Sequence, residues 1–292
     1  MADFLQILVA GLATGAIYAL VAIGFSLLWQ TSQTINFAQG EFVMVPAFFV
    51  LIGTNFFGLP FWLAVLLAGL VTLALLGWAF KKLTVDPMIR NGVLPLVIAT
   101  IGLAIFMKEA VREFYGADAW PFPALWATTD VTVFGAVFAV QSLLILAVCI
   151  VVVGALQFFL NATRTGRCMQ ATAQNPYVAR LLGIEVERMM LYTFLINAAL
   201  VALASFLVSP IYLAKFTNGE LLGLAAFVAA IVGGFNQVKG AIVGGVLLGV
   251  ADNFVAAYWS AQYRAAFPLF LLIAVILFRP QGLLGRAEER TV

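Results

Sequence analysis

Long apolar stretches alternate with short polar breaks along this chain, and the breaks carry nearly all of the charge. Nine apolar segments read as helices, at about 5–29, 42–58, 60–82, 93–106, 135–160, 189–213, 221–235, 241–258 and 267–278. A bilayer core takes roughly 20 apolar residues to cross as a helix, so most of these segments are candidate spans. The pattern predicts an all-α, polytopic membrane protein with eight to nine transmembrane helices. The lower count applies if one short pair is a broken or re-entrant element.

The longest polar break runs from about Asn161 to Arg188 and holds Arg164, Arg167, Arg180 and Arg188 with Glu185 and Glu187. An arginine at the centre of a spanning helix costs roughly 2.5–3.5 kcal/mol, so this stretch stands in water. Inside it a short helix is predicted. Asn175 is a good N-cap, Pro176 suits the first helical position, and Gly183 supplies the left-handed residue that ends a helix. Tyr177, Val178, Leu181 and Leu182 then form one apolar stripe with Arg180 beside it. Two turns do not hold by themselves and need a surface to lie on. Either the stripe packs on the protein's own helix ends, or it sits in a groove of a soluble partner.

The break from Gln30 to Phe42 is polar yet has no lysine or arginine. Asn36, Gln39 and Glu41 lie close together in it, and Gly40 permits a bend. A carboxylate at membrane depth persists only if it is paired or wetted by a cavity. The other reading has Glu41 capping the second span, where its charge complements the helix dipole. Asn197, Asp252 and Asn253 sit inside apolar spans, where they line a passage or serve as interhelical hydrogen-bond glue, the commoner use. Gly11-x-x-x-Gly15, Gly240-x-x-x-Gly244 and Gly245-x-x-x-Gly249 offer close helix contact. Phe37–Gly40 weakly resembles Phe235–Gly240, but both fall on one side of the membrane and make no inverted repeat. The segment from Lys108 to Asp130, with Tyr115, Trp120, Pro121, Phe122, Pro123 and Trp126, has the composition of an interfacial belt.

Composition sharpens this picture. Of 292 residues, 64% are hydrophobic and 10% charged, against about 25% charged in soluble domains. A net charge of +2 gives no argument for nucleic acid. Histidine is absent, which removes His-dependent catalysis, and there is neither a P-loop for ATP nor a nucleophile elbow. Cys149 and Cys168 make no metal-ligand spacing and read as structural. An ion-driven carrier keeps buried carboxylates, for which Glu41 and Asp252 are the candidates. Placing Lys81, Lys82, Arg90, Arg164, Arg167, Arg180, Arg188, Lys239, Arg279, Arg286 and Arg290 on one face leaves Lys108, Arg112, Lys215 and Arg264 on the other. That asymmetry assigns the first set to the cytoplasm, with the N-terminus outside and the C-terminus inside. The first apolar run reads as a retained span.

Three separated stretches, TGAIYALVAIGFSLLWQTSQTINFAQGEF, TGRCMQATAQNPYVARLLGIEVERMMLYTFLINAALVALA and FRPQGLLGR, closely resemble the LivH-like permease subunits of bacterial branched-chain amino acid ABC importers. The resemblance covers essentially the whole chain. It implies the ABC importer permease fold, with 1–292 as one transmembrane domain in the bacterial inner (plasma) membrane and a cytoplasmic coupling loop at 161–188. It also implies partners: a second, LivM-like permease, two cytoplasmic ABC ATPase subunits that bind ATP and Mg, a periplasmic substrate-binding protein, and membrane lipid. This chain itself would hold no cofactor and hydrolyse nothing. By the same resemblance Asn175, Pro176, Tyr177, Val178, Ala179, Arg180, Leu181, Leu182, Gly183 and Ile184 form the ATPase-coupling helix. Asn36 to Glu41 matches the family's NFAHGE signature near the translocation path, with Gln39 where the family has histidine. The expected cargo is a branched-chain or other hydrophobic amino acid. Urea, short amides or another small polar solute on the same architecture, or an autonomous carrier or channel, are the alternatives.

Overall fold

A computed structural model describes residues 2–89, 91–124, 130–133, 136–264 and 266–285. Arg90, Trp126, Arg286 and Arg290, counted above, lie outside the described residues. Each of the nine apolar segments contains a helix, but among the described residues six helical stretches are long and apolar enough to cross a membrane. These are α1 (Ala2–Ser32), the continuous stretch Phe61–Ile89, α5 (Val93–Tyr115), α6 (Val140–Ala162), α9 (Val186–Tyr212) and α11 (Val238–Tyr258). The other three are short: α2 (Gln39–Asn55), α10 (Asn218–Gly233) and α12 (Phe267–Phe278), of 17, 16 and 12 residues.

Four boundaries differ from the sequence expectation. The third helix does not stop at Lys81-Lys82: α3 (Phe61–Thr72) continues through π-helical turns at Leu73–Ala79 and Lys81–Val85 into α4 (Asp86–Ile89). Lys81 looked like a stop because of its charge. It is buried and neutralised by Asp86 at 2.9 Å, five residues on as a π turn places it, with Glu187 at 3.8 Å. Helix α5 likewise runs past Phe106, because Lys108 pairs with Glu220 at 2.6 Å and Arg112 with Glu109, one turn back, at 3.1 Å. Before α6 the expected span from residue 135 is instead an antiparallel hairpin of β1 (Asp130–Val133) and β2 (Ala136–Ala139). Its period of two was hidden in a nearly continuous apolar run. The polar break holds two helices, not one. Thr163 caps α7 (Arg164–Gln174) by accepting from the Gly166 N–H at 3.0 Å, ahead of the predicted α8 (Pro176–Leu181).

Contacts divide the chain into two units. In the unit of Met1–Ser26, Trp126–Ile150 and Leu224–Val292, α1 and α11 meet backbone to backbone. A Cβ on Gly249 would run into Gly15, and one on Gly11 into the Val250 Cα, so the glycine spacing is a helix contact. The terminal segment closes on α10 through Leu283 and Leu284 N–H groups donating to Val232 and Gly233 at 2.8 and 2.9 Å.

In the unit of Leu27–Leu125 and Val151–Gly223, α2 packs on α3, α5 and α9. Phe42, Phe80 and Phe194 make its aromatic centre, with ring centroids 4.9 and 5.9 Å apart. Pro46 disturbs the hydrogen-bond ladder of α2, and the next N–H, that of Ala47, donates to Ser205 Oγ at 3.0 Å. Inside a membrane each such group needs a partner, and α9 supplies it.

Candidate functional site

Two places stand out, one in water and one at depth. In the polar break the cap forms as the residues require: Asn175 Oδ1 accepts from the Tyr177 and Val178 N–H groups, both at 3.0 Å. Gly183 ends the helix at φ +78°. Ala179 is buried and seats α8 on its neighbours, while Tyr177, Val178, Leu181 and Leu182 stay exposed, Leu181 and Leu182 by 71% and 73%. The stripe therefore does not lie on the protein's own helix ends. Arg180, Asn175 and Pro176 are exposed around it, and the Ile184 N–H returns to the Ala179 carbonyl at 3.0 Å.

At depth, the chain between α1 and α2 leaves helical geometry over residues 33–38. Side chains satisfy its backbone. Asn36 Oδ1 accepts from the Ala38 N–H at 3.0 Å, and Thr100 Oγ1 accepts from the Phe37 N–H at 3.3 Å. Gln39 and Asn197, both fully buried, exchange two amide hydrogen bonds of 2.6 and 3.0 Å, and the Asn36 amide approaches the Gln39 oxygen at 3.5 Å. Asn197 is the twelfth of 27 residues in α9, roughly 16 Å from its start and 22 Å from its end at about 1.5 Å per residue. Gln39, the first residue of the 17-residue α2, therefore lies beside the middle of α9.

Gly40 and Glu41 occupy the first turn of α2. A Cβ on Gly40 would strike the Gly219 carbonyl, and one on Gly223 would strike Gly40, so the first turns of α2 and α10 touch through bare backbone. The Glu41 carboxyl lies where a Gly219 Cβ would be. It is 6% exposed, and its Oε2 accepts no hydrogen bond among the described residues.

Sequence comparisons agree with this architecture. The profile of the family described as "Branched-chain amino acid transport system / permease component" matches residues 7–276. The chain belongs to this permease family. BraD of Pseudomonas aeruginosa, a high-affinity branched-chain amino acid transport system permease protein, is 33% identical over 99% of this chain and 98% of its own length. LivH of Escherichia coli (strain K12), a protein of the same description, is 32% identical over the same shares. Among solved structures, a chain of PsaBC from Streptococcus pneumoniae in complex with Fab superposes with a TM-score of 0.50 at 14% identity. The match covers 95% of this chain and 92% of that one, a likeness of fold alone.

The structure brings Asn36, Gln39 and Asn197 together and sets Gly40 and Glu41 against α10. Gln39 uses both ends of its amide on Asn197, a bond that does not titrate. Asp252 belongs to the other unit. Nearly fully buried, it accepts from Arg264 Nε at 2.8 Å and the Tyr18 hydroxyl at 3.3 Å, which is the glue reading. Asn253 is spent on the Gly249 carbonyl at 2.9 Å.

The sequence reading missed Lys108, Gly219, Gly223 and Glu220. A signal for them exists: Phe216-Thr217-Asn218-Gly219-Glu220 repeats the spacing of Phe37-Ala38-Gln39-Gly40-Glu41 more closely than Phe235–Gly240 does.

Proposed function

We propose that this chain is the membrane-spanning permease subunit of an ATP-driven importer for branched-chain or other small hydrophobic amino acids. The observation that carries the reading is α8, a capped two-turn helix on a permease of this family whose four apolar side chains face solvent. Such a ridge fits the groove of a soluble partner. Two cytoplasmic ATPases would dock there, bind and hydrolyse ATP with Mg, and move Asn175 to Ile184 as a rigid lever between outward and inward openings. A second, LivM-like permease would complete the membrane body, and a periplasmic binding protein would deliver the cargo.

The proposed orientation puts 161–188 in the cytoplasm. Its support is that Lys81 of the cytoplasmic set pairs with Glu187 at the start of α9. The opposite set lies with residues that follow α9, Lys108 on Glu220 and Arg112 5.9 Å from the Phe216 ring. Asn36, Gln39, Gly40, Glu41 and Asn197 would border the passage at mid-depth, with Asp252 a structural support of the other unit.

The test is Leu181→Asp with Leu182→Asp in the complete importer. Uptake and its coupling to ATP hydrolysis are expected to fall by at least about tenfold, since two buried leucines at a docking face contribute roughly 3 kcal/mol or more together. Unchanged coupled uptake would remove α8 as the docking surface. Ligand screening of the cognate binding protein separates hydrophobic amino acids from urea or short amides.

A further inference from the structure

Two short helices open with one pattern. Phe37-x-Gln39-Gly40-Glu41 leads into α2, and Phe216-x-Asn218-Gly219-Glu220 leads into α10. Each glutamate is the third residue of its helix. The two openings touch, Gly40 backbone against Gly219 and Gly223, with the Glu41 carboxyl beside Gly219.

Their acids have different fates. Glu220 is largely exposed and takes the ammonium of Lys108 at 2.6 Å. Glu41 is more than nine-tenths buried, and its Oε2 has no donor among the described residues. The charges that act on Glu41 are Lys108 and Glu220, yet Lys108 is bonded to Glu220.

A hydrogen-bonding cap does not account for Glu41: the N-cap of α2 is Ala38, which makes no side-chain cap hydrogen bond, and the Glu41 Oε2 accepts none among the described residues. What the site supplies is a field: the first turns of α2 and α10 both end near the carboxyl, and their positive ends favour a carboxylate there. A carboxyl enclosed in a membrane protein with no donor on its Oε2 among the described residues is a site awaiting a partner. The equivalent acid of the second helix shows which cation the geometry accepts, a primary ammonium.

We propose that Glu41 binds the ammonium group of a zwitterionic α-amino acid in transit, and that Lys108 binds its carboxylate, with Glu220 holding Lys108 while the passage is empty. This rests on the permease reading above and adds the chemical class of group that each side chain reads. When α10 moves off α2, the side chain uncovered at the Gly219 contact is that of Glu41, because glycine backbone forms the rest of the seam. The zwitterion then replaces Glu220 on Lys108 and supplies the missing partner of Glu41. The cargo's apolar side chain is not read at this site.

The experiment uses the complete importer in liposomes, with labelled amino acid loaded on its binding protein, and measures initial uptake beside stimulated ATP hydrolysis. Glu41→Gln and Lys108→Met are each expected to lower uptake by about tenfold or more, the size of one lost charge-assisted contact, while stimulated hydrolysis stays within about threefold. Glu41→Asp restores part of the uptake.

Uptake by Glu41→Gln within about twofold of the parent overturns the proposal, as does a parallel loss of uptake and stimulated hydrolysis in an assembled complex, which would make Glu41 structural. Should Glu41→Gln fail to assemble, Lys108→Met decides by the same uptake criterion. A parent importer that takes up no α-amino acid fails the permease reading itself. A parent that does, matched by Glu41→Gln, leaves that reading standing and removes only this site.

Discussion

The start of α2 and the start of α10 are built from nearly the same letters and end in opposite electrostatic states. At α10 the acid stands in partial contact with solvent and finds a lysine from α5; at α2 it is enclosed by glycine backbone and finds none. The difference teaches that a short motif sets where a carboxylate goes, and the neighbouring helix decides what it is worth. Asp252 gives the third case: a buried acid with both an arginine and a tyrosine, which makes it a fastening for the 3-10 turn Ala261–Arg264.

The contrast can be broken most severely at the seam. Gly40→Val would push a branched side chain into the Gly219 carbonyl, and since backbone cannot step aside as a side chain does, a loss of roughly 3 kcal/mol or more is expected. Thermal unfolding of the purified chain in lipid nanodiscs measures it. Next, Arg264→Ala leaves Asp252 buried without its cation. The expected cost is about 3 kcal/mol, at the low end for a broken buried pair because Arg264 is one-third exposed. Asp252→Asn in that background should recover most of it.

A smaller effect is expected from Asn197→Leu, which strands the Gln39 amide and costs about 1–3 kcal/mol. Gln39→Met added to it should restore most of the stability, since removing both partners leaves only the long Asn36 contact without its acceptor. The smallest is Glu220→Gln, below about 1 kcal/mol for an exposed ion pair. A large destabilisation there would mean that the Lys108 bridge is a structural fastening like that of Asp252, and the contrast between the two helix starts would disappear.

Much of this was legible from the chain because the signals are local. Asn175, Pro176 and Gly183 fix both ends of α8 within nine residues. The bounds of α12, Phe267–Phe278, follow from an uninterrupted apolar run between polar neighbours. Gly11-x-x-x-Gly15 becomes specific only with its partner glycine on α11, Gly249.

What stayed hidden depends on partners far away in sequence. Lys81 reads as a helix end until Glu187 and the π-spaced Asp86 are beside it. Gln39 and Asn197 are 158 positions apart, and neither residue names the other. Helix α7 stayed hidden because its inner face is marked by only one large apolar residue, Met169, between Gly166 and Thr172, although Thr163 is a capping residue in plain view. The echo between Phe37–Glu41 and Phe216–Glu220 stands in the sequence, but nothing local says that the two segments meet.

The most direct test of the whole reading asks where Leu181 is and what covers it. With Cys149 and Cys168 replaced by alanine and Leu181→Cys introduced, a membrane-impermeant maleimide is applied to intact spheroplasts and to inverted vesicles. Labelling in inverted vesicles alone, lost when the ATPase subunits are assembled and regained on their removal, is the expected result. Labelling from outside intact spheroplasts, or unchanged reactivity with the ATPases in place, would contradict it.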